Sequence, residues 1–204
     1  GTNFSRGQHG SYADTVVVKA DQLAVLPDAV AFDTAGALPV AGVTAWMATH
    51  EYRALGPGRR ALVLGASGGV GQFAVQIGKR VCQADLIVGV CSGKNAALVR
   101  GLGADHVIDY AAGDALDQAR AHGPFDLIID AAGGYRASRC RALLAPGGRH
   151  VMVAGDSPGA MLQVVVPPFR SRAILGRPTT ARLSALVAAV AAGQVEVAIA
   201  ERLP

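Results

Sequence analysis

The sequence predicts an α/β fold built around a doubly wound parallel sheet, and two observations lead to this expectation. Apolar segments of strand length alternate with helical segments, and these strands are apolar throughout, which is typical of strands buried on both faces. A glycine-rich turn over 65–71 then joins the apolar strand 61–65 to a helix. With 204 residues, 51% of them hydrophobic, the chain can form one or two packed domains.

The predicted elements begin with a strand over Tyr12–Lys19, in which apolar residues alternate. A long apolar helix is predicted over Thr34–Tyr52, with a bend at Pro39, and Gly56-Pro57-Gly58 breaks the chain before strand 61–65. The helix after the glycine turn has an apolar face formed by Val75, Ile77 and Val81.

The second half of the chain continues the alternation of strands and helices. Short apolar runs predict strands at 86–91, 106–108, 125–130 and 149–154. Helices are predicted at 94–101 and around 137–144. A last helix over 184–192 is predicted to pack through one face, which comprises Leu183, Leu186, Val187 and Val190.

The glycine turn has the order of a dinucleotide-binding fingerprint, G-x-G-x-x-G, with Ala66, Gly68 and Gly71 at the three positions. Gly68 would let a diphosphate approach the main chain, and Gly71 would let the helix pack close to the strand. Ala66 departs from the strict pattern, and a turn that binds nothing is the alternative. A Walker phosphate loop is excluded because no Lys-Ser or Lys-Thr follows the glycines.

Charge and cysteine content exclude several other classes of function. The net charge of +4 is mild, and the basic group Arg136, Arg139, Arg141 and Arg149 lacks aromatic partners, which favours a solvated helix face over nucleic-acid binding. Cys82, Cys91 and Cys140 have no metal-ligand spacing, so we expect buried thiols in a reducing cytoplasmic compartment. No apolar run reaches the roughly 18 residues of a membrane span.

Cofactor choice depends on the segment that follows the second strand, Ser92-Gly93-Lys94. NAD sites usually place Asp or Glu there to bind the ribose 2′-hydroxyl, and no carboxylate is present in this segment. A hydroxyl and an ammonium would instead hold a 2′-phosphate, so NADP(H) is favoured. The alternative is that Lys94 is only the exposed first turn of the next helix.

These motifs are joined by other characteristic stretches that cover nearly the whole chain. They are Gly10–Asp14 with Val16–Val18, Leu38–Trp46, Gly65–Gly71, Leu102–Tyr110 and Pro146–Gly148. In this order they resemble the medium-chain dehydrogenase/reductase superfamily, in its zinc-independent quinone oxidoreductase and enoyl reductase branch. The resemblance implies a Rossmann domain that binds NADPH, accompanied by parts of a β-rich, GroES-like catalytic domain.

The resemblance also implies roles for individual residues. Thr44 would contact the cofactor on its nicotinamide side, while Ser67, Gly68, Gly69, Val70 and Gly71 would line the pyrophosphate. Ser92 and Lys94 would meet the 2′-phosphate, although some members carry the basic residue one place later, where this chain has Asn95. Tyr110 would lie against the adenosine end, or would be a half-buried tyrosine at a strand end. Main-chain atoms of Ala132, Gly133, Val153, Ala154 and Gly155 would line the ribose and nicotinamide.

Two departures from the family pattern refine the expectation. Zinc alcohol dehydrogenases commonly carry a cysteine ligand where this chain has Val40, so no metal site is predicted. About the first third of a typical member is absent, and the chain begins and ends abruptly, so we expect a fragment. The expected parts are catalytic-domain residues 1–27, a dinucleotide-binding domain over 28–179 and a truncated return segment over 180–204.

The implied reaction is hydride transfer from NADPH to a quinone or to an α,β-unsaturated carbonyl acceptor. No catalytic residue is predicted, because Tyr12, Tyr52 and His50 each have an ordinary structural interpretation, and solvent could supply the proton. A zinc-type alcohol dehydrogenase relative and a fragment that binds NADPH without turnover are the alternatives. The expected partner is a small electrophilic substrate; a homodimer is possible, and neither nucleic acid nor membrane is expected.

Overall fold

A parallel sheet forms the centre of the molecule. The computed structural model describes residues 14–52, 54–153, 171–174 and 176–199. These residues form a six-stranded sheet in the order β3-β2-β1-β4-β5-β6, in which every neighbouring pair is parallel. The strands are β1 Arg60–Leu64, β2 Leu86–Cys91, β3 His106–Asp109, β4 Phe125–Asp130, β5 Leu144–Met152 and β6 Ser171–Ala173. The strand order reverses between β1 and β4, so the predicted doubly wound sheet is confirmed.

Helices cover both faces of this sheet. They are α1 Phe32–Ala37, α2 Val43–Met47, α3 Gly69–Gln76, α4 Ala96–Gly101, α5 Ala115–Ala119, α6 Ala137–Arg141 and α7 Thr180–Ala191. Buried residues of α2, α3, α4 and α7 join one apolar cluster, and those of α5 and α6 join the other. The two clusters are the two sides of a three-layer α/β sandwich.

Strand β1 shows why its sequence is apolar after the exposed first residue, Arg60. Ala61 and Val63 belong to the cluster on one face of the sheet, while Leu62 and Leu64 belong to the cluster on the other. All four side chains are fully buried. Successive side chains of a strand point to opposite faces, so a central strand with helices on both sides has no solvent-facing position.

The helix predicted over Thr34–Tyr52 is a continuous helical run in the structure. A wider, π-type turn over Leu38–Gly42 connects α1 to α2, and the N–H of Val43 donates to the carbonyl of Leu38, five residues back. Pro39 lies in this turn and has no N–H with which to continue an α-helical ladder. The proline therefore coincides with a local widening of the helix.

Three predicted boundaries are wrong. Residues 14–19 form no strand, and Val17 is 90% exposed. A strand must form hydrogen bonds with a neighbouring strand, and the described residues provide none for this segment. The helix predicted to Leu144 ends at Arg141, and β5 begins at Leu144 rather than at Arg149 because Leu144 pairs with Phe125. The end of this predicted strand, Ala154, lies outside the described residues.

Two elements were missed by the sequence analysis. Helix α5 is short and has no long apolar period, but Asp114 caps it by accepting from the backbone N–H groups of Leu116 and Asp117. An aspartate at the N-cap position is a recognisable signal for the start of a helix. Strand β6 has three residues, too few for any periodicity to be visible.

Helix α7 closes one side of the fold, and its predicted apolar face is confirmed. Leu183, Leu186 and Val187 are buried in the same cluster as residues of α2 and α3. The predicted domain boundaries at residues 27/28 and 179/180 remain predictions. No helix among the described residues has the length and apolar character needed to cross a membrane.

A buried polar group joins the edge strand β6 to its neighbour β5. His150 of β5 is fully buried, and its Nδ1 lies 3.0 Å from Oγ of Ser171 on β6. The guanidinium of Arg141 donates to the same hydroxyl at 3.2 Å. Burial, reinforced by the charge of Arg141, lowers the pKa of His150 to about 4. The imidazole is therefore neutral at physiological pH.

Candidate nucleotide-binding site

Most of the described residues predicted for the site follow the carboxyl ends of β1, β2, β4 and β5. The turn after β1 is held to β2, because the N–H groups of Gly65 and Ala66 donate to the carbonyl of Val90 at 3.0 and 2.8 Å. The turn after β4 is held to β1 by a bond of 3.0 Å from the N–H of Ala131 to the carbonyl of Leu64. In doubly wound sheets, the crevice beyond these strand ends, where the strand order reverses, is the usual ligand site.

The departure from the fingerprint at Ala66 is explained by the residue before it. Gly65, with a φ of +78°, is the residue in the left-handed region. A Cβ at Gly65 would also lie only 3.1 Å from the backbone nitrogen of Ala132. Ala66 is buried, and its methyl group lies 3.0 Å from where a Cβ on Gly89 would be. An alanine therefore fits the first fingerprint position.

The third fingerprint glycine is required by close packing of helix against strand. A Cβ on Gly71 would collide with the carbonyl oxygen of Gly65 and would lie 2.8 Å from Cα of Ala66. These atoms are backbone, so no side-chain rotation could relieve the contact. Gly71 thus has the packing role predicted for it, and the N-terminal end of α3 is pressed against the turn.

The start of α3 leaves its first amides without a side-chain cap. The N-cap residue is Gly68, which has an extended conformation. Because glycine has no side chain, Gly68 cannot accept a hydrogen bond from the first N–H groups of the helix. Gly68 and Gly69 are exposed, whereas Val70 is partly buried. Uncapped N–H groups and the helix dipole together favour an anion at this end. The arrangement fits the pyrophosphate of a dinucleotide.

The segment after β2 is tied to the glycine turn by a bond that the sequence analysis did not predict. Asn95 donates from Nδ2 to Oγ of Ser67 at 3.0 Å. Ser92 is the N-cap residue of a short 3₁₀ turn over Gly93–Asn95, although its side chain makes no capping hydrogen bond, and Lys94 is exposed on that turn. Ser92 and Lys94 therefore stand beside the turn that would hold the phosphates.

A carboxylate that the sequence analysis did not assign to the site also lies here. Asp109, the last residue of β3, pairs in register with Cys91, the last residue of β2. A Cβ on Gly93 would collide with Oδ2 of Asp109, so this carboxylate touches the segment between Ser92 and Lys94. Only the strand register could have shown this, since Asp109 is far from Gly93 along the chain.

Tyr110 follows β3 in a 3₁₀ turn and is 56% exposed, which is compatible with the alternative of a half-buried tyrosine at a strand end. Its predicted contact with the adenosine end stays a prediction. Exposure leaves one face of the ring accessible to a ligand.

The turn after β4 is organised by a buried carboxylate. Oδ1 of Asp130 accepts from the N–H groups of Ala132 at 3.1 Å and Gly133 at 2.9 Å. Burial raises the pKa of Asp130, and these amides oppose that rise by stabilising the charged form. Val153 donates its N–H to the carbonyl of Asp130 at 2.9 Å. The predicted residues Ala154 and Gly155 lie outside the described residues.

Thr44 lies on α2, within the run that packs beside the start of α3. Ala41 of this run is 3.8 Å from where a Cβ on Gly69 would be. The hydroxyl of Thr44 donates to the carbonyl of Val40 at 2.7 Å, and the side chain is 4% exposed beneath Gly176. In this conformation the hydroxyl proton is used within the helix, so only the lone pairs of the oxygen remain for a ligand.

The absence of a zinc site stays a prediction. Val40, at the position of the family's cysteine ligand, offers no donor atom. Within the described ranges, no group of three or more His, Cys, Asp or Glu side chains could hold a metal.

Of the three candidate proton donors, His50 is engaged in the helical run. Its ring stacks on Trp46 at a centroid distance of 4.1 Å, and Nδ1 contacts the carbonyl of Trp46 at 3.0 Å. Nε2 lies 3.7 Å from Sγ of Cys82, and burial lowers the pKa of His50. Tyr52 is partly buried against the core, and Tyr12 lies outside the described residues.

Comparisons with known proteins agree with this geometry. A family model described as zinc-binding dehydrogenase matches residues 102–204. The mitochondrial NAD(P)H oxidoreductase RTN4IP1 of Homo sapiens is 39% identical over 131 residues, which are 62% of this chain and 33% of that protein. A zinc-type alcohol dehydrogenase-like protein of Schizosaccharomyces pombe is 33% identical over 153 residues, covering 73% of this chain and 43% of that protein.

Solved structures give the same fold. The quinone oxidoreductase of Coxiella burnetii superimposes with a TM-score of 0.75 at 26% identity, covering 85% of this chain and 54% of that one. The aligned part of this chain thus corresponds to 33–43% of the length of the two curated relatives and about half of this structure.

Proposed function

Because the chain belongs to the zinc-binding dehydrogenase family, within the medium-chain dehydrogenase/reductase superfamily, we propose that it binds NADPH for hydride transfer to a quinone or an α,β-unsaturated carbonyl compound. The observation that carries the proposal is the cradle formed by Gly65, Gly71 and the uncapped start of α3. It lies at the reversal of strand order, where a dinucleotide finds main-chain donors and room for its phosphates.

The preference for NADPH rests on charge beside the glycine turn. Lys94 is exposed, and Ser92 stands two residues before it. An ammonium and a hydroxyl are suitable donors to a 2′-phosphate. The names of the human relative and of the Coxiella structure, an NAD(P)H oxidoreductase and a quinone oxidoreductase, are consistent with the proposed reaction.

Zinc independence is part of the proposal. A zinc-type alcohol dehydrogenase mechanism needs a ligand set, and the chain has Val40 at the position of the family's cysteine. The family's description and the Schizosaccharomyces relative both carry zinc in their names, so metal analysis is a direct test. Stoichiometric zinc in the active protein would overturn this part.

The described residues would act by binding and orienting the cofactor, which supplies the hydride. The α3 N-terminus and the turn 65–68 would neutralise the pyrophosphate, and the loop amides of Ala132 and Gly133 are held rigid by Asp130. Val153, whose N–H donates to the carbonyl of Asp130, would continue this main-chain wall. We assign no proton donor, and solvent would supply the proton after hydride transfer.

The proposal extends to partners and location. A small electrophile is the proposed substrate, and a homodimer is the possible assembly. Nucleic acid is not proposed as a partner; Arg139 of the basic group pairs with Asp114 at 2.7 Å and with Asp117 at 3.1 Å, which reduces its net field. We also propose a cytoplasmic location, for which free cysteines are one argument; the human relative is named as mitochondrial.

The experiment is a pair of binding titrations, with NADPH and with NADH, on the wild type and on Lys94→Ala. Loss of one charge-assisted bond should weaken NADPH by ~1–3 kcal/mol and leave NADH nearly unchanged. Arg120→Ala is the matched control, because it removes an exposed positive charge before the amino end of β4, away from the crevice. Equal losses for both cofactors in Lys94→Ala would refute the assignment.

Turnover is tested separately by following NADPH oxidation with a panel of quinones and enones. Oxidation that depends on one of these acceptors supports the proposed reaction. Tight NADPH binding with no turnover of any acceptor would favour the alternative of cofactor binding alone.

A further inference from the structure

The carboxylate of Asp109 lies at the end of the candidate site that would hold the adenosine part of the cofactor. It ends β3 beside the end of β2, and its Oδ2 faces the backbone of Gly93. Its Oδ1 accepts from the N–H of Ala111 at 2.9 Å, which fixes the orientation of the group. The negative charge is therefore held in place beside the Ser92–Lys94 segment.

Within the described part of the chain, no ion pair neutralises this charge. The salt bridges of the described residues do not include Asp109. Its field reaches the end of β2, where the Cys91 thiol has a pKa raised first by burial and then by the charge of Asp109. Lys94 is the exposed cation of the 92–95 segment, and Asp109 lies against Gly93 of the same segment, so opposite charges stand at this edge.

The two charges act in opposite directions on the cofactor. A 2′-phosphate carries about −1.5 to −2 charges, so a neighbouring carboxylate repels it and an ammonium attracts it. A carboxylate also accepts a hydrogen bond from a ribose 2′-hydroxyl, which is how NAD sites select their cofactor.

We propose that Asp109 is a specificity-determining residue that opposes Lys94, reduces the advantage of NADPH and allows NADH to bind. The inference rests on the proposed function, since it concerns the same nucleotide site. It differs from the pattern of a carboxylate on the segment after β2, because here the carboxylate comes from the neighbouring strand β3.

The test compares Asp109→Asn with the wild type, using NADPH, NADH and the shorter probes 2′,5′-ADP and 5′-AMP. The shorter probes sample only the adenosine end. Asparagine keeps the size and the acceptor for Ala111 and removes the charge. The expected result is that the ratio of the NADH to the NADPH dissociation constant rises at least about fivefold, mainly through tighter NADPH binding, with the same trend for the short probes.

Two further measurements separate this role from a structural one. Glu196→Gln is the matched control, because it removes an exposed carboxylate that pairs with Arg80, near the C-terminal end of the α3 helical run; its dissociation-constant ratio should equal that of the wild type. The effect of Asp109→Asn should shrink as salt is raised, because added ions screen exposed charges. A merely structural change would not follow ionic strength.

The outcomes distinguish the two proposals. If the wild type binds both cofactors and Asp109→Asn leaves their ratio unchanged at low salt, the role of Asp109 is overturned and the proposed function stands. If the folded wild type binds neither cofactor nor short probe, both proposals fail. Should Asp109→Asn be unstable by circular dichroism, Asp109→Ser provides the same removal of charge and must give the same shift in ratio.

Discussion

Gly71→Ala tests the packing on which the candidate site depends. The added methyl group would collide with the carbonyl of Gly65 and lie 2.8 Å from Cα of Ala66, whereas ordinary contacts begin near 3.4 Å. Helix α3 must therefore move away from the turn by at least about 0.6 Å. The same movement widens the cradle between the turn and the first amides of the helix.

The energetic effect follows from overpacking against backbone atoms. Helix α3 also buries Phe73, Ala74 and Val75 in the core, so it cannot move freely. Forcing a methyl group into such a site costs about 1–3 kcal/mol, from which alanine's better helix propensity recovers at most about 1 kcal/mol. We expect the free energy of unfolding to fall by about 1–2 kcal/mol and NADPH affinity to fall at least about tenfold.

Urea unfolding followed by circular dichroism, and a fluorescence titration with NADPH, measure the two effects. Gly36→Ala in α1 is the control, because no atom lies within 4 Å of its new Cβ. That variant should be equally or slightly more stable and should bind NADPH normally. A Gly71→Ala protein with wild-type stability and wild-type affinity would refute the argument.

Two further predictions concern the core. The pKa of His150 is about 4 in the folded protein and about 6.5 in the unfolded chain, so the unfolded chain binds the proton first as the pH falls. The free energy of unfolding should therefore be at its full value above pH 6.5 and should fall by about 3 kcal/mol as the pH is lowered to 4. His150→Gln, measured by urea unfolding across this range, should lose that part of the slope; parallel profiles would contradict it. Leu186→Ala should lower the free energy of unfolding by about 2–5 kcal/mol in a single transition, since Leu186 is fully buried. Leu98→Ala, where the side chain is 42% exposed, should lower the free energy of unfolding much less. Equal decreases in the two variants would contradict the assignment of α7 to the common core.

Local sequence was sufficient for the elements that have a clear period or a clear chemical signal. Strands 86–91 and 125–130 were predicted with the bounds observed, because uninterrupted apolar runs are needed between two helical layers. The glycine turn was also predictable, since close approach of helix and strand excludes a side chain at Gly71. Strand Tyr12–Lys19 was not, because alternation alone does not provide a neighbouring strand.

Within the site, the sequence identified the turn and the segment that follows β2, but it missed the contacts between them. The bond from Asn95 to Ser67 depends on how the two loops meet, and no local pattern signals it. The expectation that the 2′ end has no carboxylate was correct for residues 92–94 and incomplete for the folded site, because Asp109 lies against Gly93.

The sequence by itself determined the layered α/β architecture, the place of the glycine turn and the identity of the side chains proposed to face the cofactor's 2′ end. Only the tertiary structure decided which of those side chains meet. A parallel sheet brings together the carboxyl ends of strands that are distant along the chain, so the register between β2 and β3 places Asp109 beside the Lys94 segment. Hydrophobic periodicity specifies which face of each element is buried, whereas long-range register specifies the charge that a bound nucleotide would encounter.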